Sequence, residues 1–126
     1  MKKLVLAATL AVAAIAPIGA AQACGEEPLA TYSTTLGGRD HFNSNGQRLT
    51  SIGQILQQDR ANVNSRNIRD AGDQGDGYFT SVTARGQIAE WIEAGWIDDA
   101  ARARIMEGSG AVTVYVYDGW IEVVPA

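Results

Sequence analysis

After Lys3 the chain contains no lysine, and it offers one cysteine and one histidine in 126 residues. Past Ile18 no long apolar run occurs. Each shortage removes a class of protein. With Cys24 as the single thiol no disulfide can close within the chain, so a packed core must hold the fold even in an oxidising compartment. His41 alone, with one distant thiol, is too little for a closed zinc site. Neither a phosphate-binding glycine loop nor a Gly-x-Ser-x-Gly elbow is present. Fourteen acidic residues stand against ten basic ones, a net charge of −4 with no basic cluster. Nucleic acids and anionic membranes are held largely by clustered Lys and Arg, so neither is an expected partner.

What the N-terminus does have is a positive flank, Lys2-Lys3, an apolar stretch from Leu4 to Ile18, and the small-x-small pattern Ala21-Gln22-Ala23. Residues 1–23 therefore read as a secretory signal peptide, and the apolar stretch is too short and too interrupted by Pro17 and Gly19 for a membrane span. The expected product is residues 24–126, a single exported domain, periplasmic or secreted, with no transmembrane segment. Loss of Lys2 and Lys3 leaves eight bases, all Arg, against fourteen acids, or −6. Cys24 would then be the first residue, where an acyl chain could anchor the domain, although Ala21-Gln22-Ala23 departs from the Leu-like start of a lipoprotein signal.

In the remaining chain, residues 29–36 are apolar and β-branched, which predicts a short strand, and Asn45-Gly46 marks a turn in the polar stretch that follows. Ile52, Ile55, Leu56 and Val63 recur at helical spacing behind a Thr50 or Ser51 cap, predicting a helix over 51–63 whose solvated side takes Asp59 and Arg60, unless that pair instead holds a neighbouring loop. Residues 64–77 turn to Asn, Arg, Asp and Gly, a long loop. A second helix is predicted from Phe79 or Ser81 to Ala94, burying Val82, Ile88, Trp91 and Ile92, with Gly86 weakening its middle by about 1 kcal/mol. Gly95 is placed to end it as a C′ glycine. Trp96-Ile97 turns the chain, and Asp98 caps a third helix that runs to Glu107 and stops at Gly108.

The C-terminus carries two β-rich runs around Asp118-Gly119, the pattern of a hairpin with a two-residue type I′ turn. Such a loop places Tyr117 opposite Trp120, Val116 opposite Ile121, Tyr115 opposite Glu122 and Val114 opposite Val123. One side of the ribbon is then valine and isoleucine; the other carries Tyr115, Tyr117, Trp120 and Glu122. A lone hairpin is marginal in water, so it needs strand 29–36 and the helices. The expected fold is α+β, a small antiparallel sheet with about three short helices on one side.

Three constellations could carry chemistry. The aromatic side of the hairpin suits binding, because Tyr and Trp supply large contact area with a polar tip. Asp70, Asp73 and Asp76, spaced by glycines, offer oxygen donors for calcium, although they fail the EF-hand spacing. Cys24 with His41 would be a nucleophile and base only if the fold joined them, and His41 beside Asp40 reads as a surface turn residue. Glu90 and Glu93 face away from the core and read as solvated charge rather than a carboxylate pair. The reading these features favour is a non-enzymatic binding or accessory module of the bacterial envelope, recognising a protein or a small ligand through the hairpin aromatics. A minimal hydrolase using carboxylates or Cys24 and His41, and a lipid-anchored structural protein, are the alternatives.

Overall fold

A computed structural model describes residues 26–126. The elements run β1 Ala30–Thr35, a 3-10 turn Gly38–His41, α1 Ile52–Ser65, α2 Val82–Arg85, α3 Ile88–Ala94, β2 Trp96–Ile97, α4 Asp99–Glu107, β3 Ala111–Tyr117 and β4 Trp120–Pro125. The four strands form one sheet in the order β1-β3-β4-β2. This is the expected α+β architecture, with one addition. Trp96-Ile97 is a two-residue strand that lies parallel to β4, against Glu122 and Val123, so the otherwise antiparallel sheet gains a short parallel edge.

The hairpin has the expected register: Tyr117 opposite Trp120, Val116 opposite Ile121, Tyr115 opposite Glu122, Val114 opposite Val123. Its turn differs from type I′. Gly119 takes φ 91° while Asp118 is not among the positive-φ residues, so the loop spares the non-glycine residue the left-handed region and has the pattern of a type II turn. β1 pairs with β3 antiparallel, Tyr32 opposite Val114 and Thr34 opposite Val112. The inward side of the sheet thus carries Tyr32, Val112, Val114, Val116, Ile121 and Val123, all within the core.

Helical spacing supplies the other layer. Ile52, Ile55 and Leu56 of α1, Ile88 and Trp91 of α3, and Ala101 and Ile105 of α4 are buried against those side chains. Ser51 caps α1 by accepting from the Gln54 N–H, and Asp98 caps α4 through the Ala100 and Ala101 N–H groups. The helix expected over 79–94 is broken into α2 and α3 at Gly86-Gln87, where propensity is weakest. Val82, expected in the core, is 76% exposed because α2 presents it outward. Gly95 ends α3 with φ −104°, not in the left-handed region. It is required for another reason: a Cβ there would stand 1.8 Å from the Ile121 carbonyl oxygen, so only glycine lets the chain pass this close to β4. Among the described residues no helix is long and apolar enough to cross a membrane.

Candidate functional site

The strand period puts the hairpin aromatics on the side of the sheet away from the helices. Tyr117 and Trp120 stack with ring centroids 4.0 Å apart and planes 9° from parallel. Tyr115 and Trp120 are half-buried, whereas Tyr117 and Glu122 are buried. Around them the same face carries Thr31 and Ser33 of β1, Thr113 of β3 and, by its pairing with Glu122, Trp96 of β2. The Ser33 and Thr113 hydroxyls are 3.1 Å apart across it. None of these side chains belongs to the core formed with the helices. The Tyr117 hydroxyl is buried and has no hydrogen-bond partner among the described residues. Burial, then the negative charges of Glu122 and Glu26, push its phenol above the ordinary value. Glu26 is near because the segment before β1 runs beside the hairpin, where the Leu29 N–H donates to the Val116 carbonyl at 2.7 Å.

A second assembly lies at the β1 edge of the sheet, where Asp59 and Arg60 take the lesser of the two roles expected for them and hold a neighbouring loop. Both are fully buried rather than solvated. Arg60 Nε donates to Asp59 Oδ2 at 2.8 Å, and Nη1 donates to Asp76 Oδ1 at 3.1 Å and to the Gln74 carbonyl at 2.8 Å. Its guanidinium lies 3.9 Å over the Tyr32 ring. The Thr34 hydroxyl accepts from Arg60 Nη2 and lies within 3.0 Å of both Asp59 Oδ1 and Asp73 Oδ1, so its one proton serves two carboxylates. Burial alone would lower Arg60; Tyr32, Asp59 and Asp76 hold it above its ordinary value instead.

The loop aspartates are used within this assembly. Asp73 accepts from the Thr35 N–H and, through its other oxygen, from the Asp70 N–H. Asp76 accepts from Arg60, from Asn64, and from the Tyr78 and Phe79 N–H groups. Burial works to raise Asp76, yet these donors keep it below the usual carboxylate value. Asp70 lies instead against Gly37, its Oδ2 only 2.3 Å from where a Cβ would be. Asp70, Asp73 and Asp76 therefore do not converge, and among the described residues no group of three or more His, Cys, Asp or Glu is arranged to hold a metal ion.

His41 and Asp40 also depart from expectation: both are buried, because the 3-10 turn packs its inner side on α1. Ring atom Nε2 of His41 is 3.1 Å from the Leu36 carbonyl oxygen. Asp40 Oδ1 accepts from Asn62 Nδ2 at 2.8 Å, and Oδ2 has no partner among the described residues. Burial first, then the charge of Asp59, pushes Asp40 up to about 7. Burial likewise takes Asp59 up to about 6. Cys24 lies outside the described residues. Glu90 and Glu93 are exposed, as read.

A cleft of about 730 Å³ opens between the start of α1, α3, β2 and α4, with Ile92, Glu93, Trp96 and Arg102 among the residues that line it. None of the buried polar or charged side chains lines it. No family model, curated protein or solved structure matches this chain.

Proposed function

We propose that this is an exported, non-enzymatic binding module of the bacterial envelope whose recognition surface is the outer face of the sheet, with Tyr115, Tyr117, Trp120 and Glu122 at its centre. The observation that supports the reading is the stacked Tyr117–Trp120 pair on the sheet face outside the helix-packed core, with a Tyr117 hydroxyl that no group among the described residues satisfies. A buried hydroxyl without a partner is disfavoured by about 1–3 kcal/mol, and a bound acceptor or donor relieves it. Flat rings at low entropy cost suit a protein segment, which is the partner this reading expects; a sugar ring is the other ligand such rings accept.

The test is capture of envelope components by the protein released after export, with Tyr115→Ala, Trp120→Ala and Tyr117→Phe as comparisons. Melting curves ensure that each variant is folded. A component bound by the parent and lost with Trp120→Ala, with weaker binding for Tyr117→Phe, supports the reading. Equal recovery by parent and variants refutes the site. Mass spectrometry of the exported protein tests the leader directly, with Cys24 expected as the first residue.

A further inference from the structure

We propose that Asp40 is the proton-binding element of a pH-operated latch that holds the 3-10 turn Gly38–His41, and the loop behind it to Leu49, against α1. The geometry makes this carboxyl unusual. It is only 3% exposed, one oxygen is satisfied by Asn62 of α1, and the other has no donor among the described residues. The charges that reach it are negative: Asp59 from α1, and Asp70 and Asp73 from the loop before α2. Its own turn supplies no counter-ion, since Arg39 is exposed and His41 is directed to the Leu36 carbonyl. Arg60, the buried cation of this region, is already committed to Asp59 and Asp76.

An ionised Asp40 is thus a buried anion among like charges with no cation of its own, a state that fold geometry resists unless water or the neutral acid relieves it. Protonated, the turn can stay closed on α1. Ionised, it gains hydration by lifting, and the loop moves with it, because the Leu49 N–H donates to the His41 carbonyl and Phe42 bridges to Arg48. The upward displacement of Asp40 to about 7 places the change where an exported domain would meet it in its surroundings. The latch does not depend on the aromatic face being a binding site; only its exposure to external pH rests on export.

Carbon-detected carboxyl titration of the exported protein, with amide exchange corrected for the intrinsic rate, reads the latch directly. Asp40 is expected to titrate well above the ordinary carboxylate range. Amides of residues 38–49 are expected to lose roughly tenfold in protection between about pH 5.5 and about pH 8.5, and Asp40→Asn should hold protection at both. Asp40 titrating near the ordinary value, unchanged protection in the parent, or the same loss in Asp40→Asn would each overturn the proposal. Should Asp40→Asn fail to fold, the parent's titration and exchange decide alone.

Discussion

Replacing Asp76 by Ala tests whether the buried ion network is a main support of the fold. Its two oxygens accept four hydrogen bonds, from Arg60 Nη1 at 3.1 Å, Asn64 Nδ2 at 2.7 Å, and the Tyr78 and Phe79 N–H groups at 2.9 and 2.5 Å. Alanine leaves Arg60 buried with one anion where it had two, and leaves two backbone donors without an acceptor. Breaking a buried pair by removing one partner costs about 3–5 kcal/mol, and each orphaned neutral donor about 1–3. These losses overlap, and Asp59 still faces Arg60, so the net expectation is about 4 kcal/mol. Small domains have about 5–15 kcal/mol in total, so the variant keeps a weakened fold. Urea unfolding followed by the fluorescence of Trp91, Trp96 and Trp120 measures it, and with a slope of about 2 kcal/mol per molar the midpoint falls by about 2 M. Asp76→Asn, which keeps one acceptor oxygen, should lose roughly half as much. A decrease below about 1 kcal/mol for Asp76→Ala would refute the network as a stabilising unit.

Gly95→Ala should lower stability by about 3 kcal/mol or more, a melting temperature about 12 °C lower or beyond, because the new methyl meets the Ile121 carbonyl oxygen at 1.8 Å and both groups are backbone-anchored. Stability should also fall as pH rises from about 4 to about 7, by about 2–4 kcal/mol: Asp40 and Asp59 have folded values near 7 and 6, above their ordinary 3.8, so the folded state holds more protons in that window. Asp76 acts in the opposite sense, contributing stability that disappears as pH falls through its depressed value, so a maximum near pH 4–5 is expected in urea midpoints taken across pH. Midpoints that rise from pH 5 to 7.5 would contradict it.

The elements that local chemistry determines were legible in the sequence. A two-residue loop and strict alternation leave one hairpin register, and that register is the one observed. Ser51, Asp98 and Gly108 mark helix ends because caps act within one turn. For Asp59 and Arg60 a loop-holding role was legible only as the lesser alternative, since polar residues on an amphipathic helix ordinarily face water, and their burial and their partners Thr34, Gln74 and Asp76, 14 or more residues away in the chain, were not. One signal was available. Thr34 alternates with Tyr32 and Leu36, so a polar side chain had to point inward and find a donor or acceptor there. The split at Gly86 was visible as a weakness but not as a break, and the strand at Trp96-Ile97 was too short for any period to show.

The ion network and the aromatic face are linked through the edges of the sheet. An unpaired edge invites a partner to add a strand, and proteins that avoid this cover the edge. On β1 the Ser33 N–H donates to the Gln74 side chain, the Ser33 carbonyl accepts the Gln74 N–H, and the Thr35 N–H donates to Asp73, so the loop anchored by Arg60 occupies that edge. On the far side β2 pairs with β4, and the Asp98 N–H continues the pairing to the Val123 carbonyl. Strand addition at the β1 edge therefore has to displace a loop held by a buried arginine, and the other edge, β2, is only two residues long and offers a short template. The broad face between the two edges, where Tyr115 and Trp120 are half-buried, is the surface proposed above for a partner, and docking there would leave these edge hydrogen bonds in place.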